Sequence, residues 1–297
     1  MPENFADRLL AAIKAKGSPV CVGLDPVFEN LPPAVRRGDE PGQRLAAIGE
    51  FCRGVLEAVA PIVPAVKPQS AYFEVYRGEG VKLYFDLVRY ARQLGLLIIG
   101  DVKRNDIGST AAAYARAHLA GPDAPDCVTV NGYLGADGIE PFLKVAAAEG
   151  RGAFVLVRTS NPSAARTQDF ADAEGVKYYQ RMAEQVAELG ASVVGACGYS
   201  SLGAVVGATY PQEARMLRGV MPQQVFLVPG YGAQGATAAD CAASFKADGT
   251  GAIVNASRSV LYPKQDPQFA GDSWRAAVTA AAKAFAADIA SAVTPGA

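Results

Sequence analysis

Leu94-Gly-Leu-Leu-Ile-Ile-Gly100-Asp101-Val-Lys103-Arg-Asn-Asp106 is the stretch on which the reading of this chain turns. Its first seven residues are apolar, as in a strand covered on both faces of a parallel sheet. A strand that deep does not end in charges without a reason. Side chains at i and i+2 of a strand point the same way, so Asp101 and Lys103 are expected to project together from its C-terminal end. Asp106 follows just beyond, where a loop becomes a helix. A lysine held between carboxylates keeps its proton, because opposite charges within a few ångströms favour the charged form. Such a lysine is a poor base and a poor Schiff-base former. It is suited to hold negative charge and then release a proton. The plain alternative is a surface ion pair at a strand end, and the rest of the chain decides between the two.

Working outward, short β-rich segments recur between longer helical ones. The expected strands are 19–24, 62–66, 96–102, 127–131, 153–158, 204–207, 225–228 and 252–255. Helical patterns lie near 4–16, 41–60, 80–94, 108–120, 138–149, 171–190, 211–219, 237–247 and 272–291. Eight strands alternating with helices indicate a (β/α)8 barrel, an α/β fold, read here as one domain over residues 1–297 with helical extensions at both ends. A doubly wound open sheet is the competitor. It would gather polar strand ends at one switch point, whereas here they occur at several strands in turn. Two connections, 26–42 and 160–174, are longer than a barrel needs and are either site covers or surface excursions. The Thr-Pro-Gly-Ala end reads as a frayed tail.

The 297 residues suit a barrel of this kind, which runs to ~250 residues or more. A net charge of −1 leaves no electrostatic footprint for nucleic acid or anionic membrane. The five cysteines are scattered and odd in number, the pattern of small buried hydrophobes rather than a disulfide framework. The N-terminus reads as an amphipathic helix and not a signal peptide, and no apolar run approaches ~18 residues. A cytoplasmic protein is the expectation. The single histidine, His118, falls within a helical stretch, so neither a Ser-His-Asp triad nor a histidine-rich metal site is expected.

In a barrel the C-terminal strand ends form the active face. Strand 1 ends in Asp25, strand 2 in Lys67, strand 3 in Asp101 and Lys103, so four charges of alternating sign meet on one side of the mouth. A structural network is the bland reading. Against it, buried ion pairs stabilise weakly, because desolvation offsets most of the Coulomb gain. Further along the chain, strand 7 leads into Val228-Pro-Gly-Tyr-Gly-Ala-Gln-Gly235 and strand 8 into Asn255-Ala-Ser-Arg258. Glycines let backbone N–H groups approach an anion, and arginine matches a phosphate bidentately. Barrel phosphate sites form from the loops after strands 7 and 8. Gln234 is placed to close over such a ligand.

Together, Asp101-x-Lys103-x-x-Asp106-Ile107 and Lys67 on the preceding strand resemble the Lys-Asp-Lys-Asp tetrad of the orotidine 5′-phosphate decarboxylase family. The segment 228–235 looks like that family's phosphate loop and Arg258 like its phosphate arginine. Val22-Gly-Leu-Asp25-Pro26 and Val206-Gly-Ala-Thr-Tyr-Pro211 also fit, and the wording of 65–74 and 101–110 resembles the longer bacterial subgroup. The resemblance covers about residues 5 to 262. It implies formation of UMP from orotidine 5′-monophosphate (OMP) by loss of CO2, in pyrimidine biosynthesis, without metal or cofactor. It further implies a homodimer with sites at the subunit interface. By position Lys103 resembles the proton donor to C6 and Asp101 the carboxylate beside the substrate's own. Asp25 and Lys67 would contact the ribose, and Asp106 and Thr110 the ribose of the neighbouring subunit's ligand. Ser160 would touch the pyrimidine. Pro229, Gly230, Gly232 and Gln234 belong to the phosphate loop. The alternatives are a Mg²⁺-dependent enzyme of the hexulose-phosphate synthase type, which shares D-x-K-x-x-D but carries a carboxylate where Lys67 stands, and a non-catalytic phosphosugar-binding barrel.

Overall fold

The computed structural model describes residues 2–232 and 234–294, so Met1, Ala233 of the glycine loop and Pro295–Ala297 of the expected tail lie outside the described residues. Eight parallel strands close in chain order into a barrel: β1 (Val20–Leu24), β2 (Ala65–Pro68), β3 (Leu97–Arg104), β4 (Cys127–Val130), β5 (Gly152–Arg158), β6 (Ser200–Val206), β7 (Gln224–Pro229) and β8 (Ala252–Ala256). Val20 pairs with Val254 and Cys21 with Asn255, which joins β1 to β8 and rules out the open sheet. The helices are α1 (Phe5–Lys16), α2 (Pro41–Val59), α3 (Ala71–Glu74), α4 (Arg77–Gln93), α5 (Gly108–Leu119), α6 (Ala136–Glu149), α7 (Ala165–Gln168), α8 (Tyr178–Gly190), α9 (Pro211–Val220), α10 (Ala238–Ala242), α11 (Arg258–Leu261) and α12 (Trp274–Val293).

The barrel has a closed floor and an open mouth. Asn4 caps α1 by accepting from the Ala6 N–H at 2.8 Å, and Gly17, at φ 64°, ends it. This helix lies under the barrel, and its Phe5 and Leu9 pack with Cys21, Ala65, Ile99 and Phe154 from the strands. Gly152 makes room: a Cβ there would sit 2.3 Å from the Phe5 ring. The alternate strand residues, such as Val20, Val22, Val66 and Ile98, face the outer helices. With the floor plugged, polar chemistry is confined to the C-terminal strand ends.

Several boundaries differ from the sequence reading. Strand β2 starts three residues later, because the N–H groups of Ile62 and Val63 still bond to Val59 O and finish the turn of α2. Lys67 therefore lies within the strand. Strand β6 starts at Ser200, four residues early. The helix expected over 171–190 begins only at Tyr178, since the Asp172 carboxylate accepts from the Glu174 and Val176 N–H groups, both at 2.9 Å, and turns the chain at Gly175. The helix expected over 237–247 stops at Ala242. Cys197 is exposed, in a turn whose N–H groups bond Asp7, whereas the other four cysteines are buried as expected. Helix α12 is long and apolar enough to cross a bilayer by length and composition, yet Trp274, Val278, Phe285 and Ile289 on it are buried in the barrel's helical layer. The 26–42 connection packs Phe28, Leu31 and Val35 into the core.

Candidate active site

Strand β3 carries the site's irregularity. Gly100 pairs with Val128 and Arg104 with Val130, so residues 101–103 face the single residue Thr129 across a bulge. Lys103 sits there at φ 44°, a left-handed conformation unusual for a residue with a side chain. Simple alternation does not hold through the bulge, but Asp101 and Lys103 still meet. Lys103 Nζ donates to Asp101 Oδ1 at 2.5 Å, and Thr129 Oγ1 donates to the same oxygen at 2.8 Å. Lys67 Nζ donates to Oδ2 at 2.6 Å and Gln69 Nε2 at 2.9 Å. Four donors thus saturate one carboxylate. Asp101 is 4% exposed and Lys67 6%. The Lys103 side chain is 46% exposed and is the member of the trio open to the mouth.

Burial by itself would raise the Asp101 pKa. The charges of Lys67 and Lys103 outweigh it and hold this carboxyl far below the usual carboxylate range. For Lys67, burial opposes the charge, and Asp101, then Asp25, lift its pKa above the ordinary lysine value. Asp101 is therefore held as an anion and Lys67 as a cation. Asp25 follows β1, and its main-chain oxygen accepts from the Tyr262 hydroxyl at 3.0 Å. Its side-chain Oδ1 is buried with no hydrogen-bond partner among the described residues. Cys21, beneath, is pushed up to about 12 by burial and cannot serve as a thiolate. His118 is half-buried, and burial followed by Arg104 lowers its pKa to about 4, so it stays neutral.

A cavity of about 650 Å³ opens at this mouth. Asp25, Lys67, Asp101 and Lys103 from the ends of β1 to β3 line it together with Pro229, Gly230, Gln234 and Arg258 from the ends of β7 and β8. The glycines adopt φ 115° at Gly230 and 67° at Gly232, conformations that glycine alone reaches without strain. Gly232 lies outside the lining, its N–H donating to Ala236 O at 2.9 Å to shape the loop. Arg258 opens α11 at the end of β8.

Ser160 also lines the cavity. It is held by an unusual support. Arg158, 1% exposed at the end of β5, bonds Glu213 at 2.6 and 3.2 Å, pairs with Asp169 at 2.9 Å, and packs on the rings of Tyr210 and Tyr179. Gln168 accepts from the Thr159 N–H at 3.0 Å. The 160–174 connection is thus tied to the barrel and lines the site through Ser160 and Asn161.

Asp106 and Thr110 do not line this cavity: Asp106 lies in the loop after β3 and Thr110 is exposed in the first turn of α5. Exposed Ile107, Tyr133 and Leu134 lie in the connections after β3 and β4, and exposed Tyr114 lies on α5. Gly138 draws those connections together, since a Cβ on it would touch Asp106 O and the Leu134 Cβ. The sequence reading missed Gln69 and Thr129, which bond Asp101, and Tyr72, which lines the cavity. Thr129 sits in an unremarkable β-former run, Cys127-Val-Thr-Val130, and offers no signal by pattern. Gln69 was recoverable from Lys67-Pro-Gln69, two residues beyond the lysine on a strand that points both the same way.

Residues 18–273 match the model of the orotidine 5′-phosphate decarboxylase / HUMPS family. An orotidine 5′-phosphate decarboxylase from Rhodopirellula baltica is 46% identical over 291 residues, covering 94% of this chain and 96% of the relative. One from Deinococcus radiodurans is 41% identical over 265 residues, covering 89% and 91%. A Streptomyces avermitilis crystal structure, provisionally named an orotidine 5′-phosphate decarboxylase, superposes with a TM-score of 0.82 at 37% identity, covering 98% of this chain and 96% of that one.

Proposed function

The chain belongs to the orotidine 5′-phosphate decarboxylase family and is a carboxy-lyase of its (β/α)8 fold; from that premise we propose how its own residues turn OMP into UMP in pyrimidine biosynthesis. The observation that carries the reading is Asp101, buried and clamped between Lys67 and Lys103 at the cavity wall. Loss of CO2 from C6 leaves an electron pair in the ring plane, where it cannot delocalise into the π system. The protein must stabilise a localised charge, and barriers of this type call for reductions of ~20 kcal/mol or more. A preorganised ammonium in a site sheltered from water does this directly. Lys103, the open member of the trio, then delivers its proton to C6.

Asp101 cannot be the proton carrier. Each of its oxygens already accepts two hydrogen bonds, and its acidity is strongly enhanced. Its part is to orient the two ammonium groups and to stand beside the substrate's carboxylate. Asp25 and Lys67 hold the ribose. The unpartnered Asp25 oxygen supports this, as a buried acceptor awaiting a hydroxyl donor. Arg258, Pro229, Gly230, Gln234 and the loop shaped by Gly232 take the phosphate, and Ser160 the pyrimidine. Binding energy gathered at the phosphate is used to order the distant charged trio.

Asp106 and Thr110 complete the site of a second copy in a homodimer. Their position outside their own cavity, beside four exposed apolar side chains, supports that placement. We read the reaction as metal-independent, because Lys67, an ammonium 2.6 Å from Asp101, stands where the Mg²⁺-dependent enzymes of the fold carry a carboxylate. The test is spectrophotometric. OMP absorbance falls as UMP forms with the wild-type enzyme and not with Lys103→Ala. A Lys103→Ala enzyme with a near-normal rate refutes the role given to Lys103.

A further inference from the structure

Thr129 belongs to none of the charged motifs, and its side chain is almost wholly enclosed. It lies where β4 opposes the bulge of β3. Its neighbours Val128 and Val130 pair with Gly100 and Arg104, so three residues of β3 are left facing this one position. The bulge takes the Lys103 N–H away from the regular ladder. Thr129 Oγ1 accepts that N–H at 3.0 Å and donates its own proton to Asp101 Oδ1 at 2.8 Å. One hydroxyl therefore grips the main chain of the lysine and the carboxylate that the lysine's ammonium contacts.

A left-handed backbone on a residue with a Cβ persists only where its surroundings enforce it. At Lys103, φ 44° is held from β4 by this single side-chain acceptor. We propose that Thr129 is a positioning residue for decarboxylation. It locks the bulged backbone of Lys103 and the rotamer of Asp101 as a unit, so that ammonium and carboxylate keep their separation when a charged substrate enters. This role rests on the decarboxylase reading of the barrel mouth. Valine has nearly the same shape and suits a strand equally, but it would leave the Lys103 N–H without its acceptor and Asp101 without one of its four donors.

The experiment compares Thr129→Val, Thr129→Ser and wild type with OMP as substrate and UMP as a binding probe. Displacement of a reacting group by about 1 Å costs on the order of 10²-fold, so kcat of Thr129→Val is expected to fall by roughly that factor. KM for OMP and Kd for UMP should stay within about threefold, since the lost interaction acts on the reacting groups and not on the nucleotide. Thr129→Ser, which restores the hydroxyl, should recover kcat to within about threefold of wild type. A wild-type enzyme inactive on OMP overturns the decarboxylase reading and this role with it. With wild type active, three results overturn the role alone: an undiminished kcat in Thr129→Val, a loss confined to KM, or a Thr129→Ser enzyme as impaired as Thr129→Val. If circular dichroism shows Thr129→Val unfolded, Thr129→Ala against Thr129→Ser gives the same comparison.

Discussion

Replacing Lys67 with methionine removes the buried ammonium while keeping most of the side-chain volume, so the cost is electrostatic and not a cavity. Asp101 would keep Gln69, Lys103 and Thr129 as donors, of which only Lys103 is charged. Breaking a buried pair by removing one partner costs about 3–5 kcal/mol, and the three remaining donors place this case near the lower end. At roughly 2–4 °C per kcal/mol for chains of this size, a loss of about 3 kcal/mol lowers Tm by roughly 6–12 °C at neutral pH.

The pH dependence has a definite sign. Asp101 has a folded-state pKa below its unfolded value of 3.8, so its contribution is present above that value and is lost as pH falls through the lower, folded one. Without Lys67 the depression is smaller, and less stability remains to be lost in acid. The gap between wild type and Lys67→Met should be widest near neutrality and narrow below about pH 4. Calorimetry at a series of pH values, with UMP absent, measures it. A Tm difference under about 2 °C at pH 7, or a gap that does not close in acid, would show that Lys67 does not hold Asp101 as described. In the activity assay the same variant should lose on the order of 10²-fold or more in kcat/KM, because it disorders Asp101 as well as removing a ribose contact.

Arg258→Ala should raise KM for OMP roughly 10- to 100-fold, as expected for a charge-assisted phosphate contact, with a smaller change in kcat; an unchanged KM would remove Arg258 from the phosphate site. Incubation with EDTA should leave the rate unaltered, and loss of activity restored by Mg²⁺ would instead favour the metal-dependent relatives of the fold. Mixing inactive Lys103→Ala with inactive Asp106→Ala should regain about a quarter of wild-type activity, because half of randomly exchanged dimers carry one intact site; no recovery after exchange would place Asp106 in its own subunit's cavity.

The barrel was legible because its signals are local and repeated. Each apolar strand, such as Val20–Leu24 or Cys127–Val130, is bounded by turn residues and followed by an amphipathic helix, and eight repetitions leave few folds open. Where boundaries moved, a side chain or a neighbouring turn competed with periodicity: Asp172 unwound the start of α8, and the end of α2 consumed residues counted toward β2. The charged strand ends were legible for another reason. Four ionic groups at consecutive strand ends oppose the tendency of a core to exclude charge, and such conflicts between stability and sequence concentrate at functional sites.

What the sequence did not reveal is how the charges are held, and the cause is geometric. A period-two argument assumes that β3 stays regular to its end, and through Lys103 it does not. The i, i+2 rule reached the right pair by assuming a regularity that the bulge removes. Two ammonium groups and one carboxylate, unsupported, would collapse into whatever pairing gave the shortest contacts. Thr129 and Gln69 prevent this by occupying the second acceptor position on each Asp101 oxygen, which leaves one direction on each oxygen for one lysine. These neutral donors add little charge. They convert an ion cluster into a fixed geometry, and preorganisation of this kind is what allows an ammonium to act at a developing carbanion without first reorganising its surroundings.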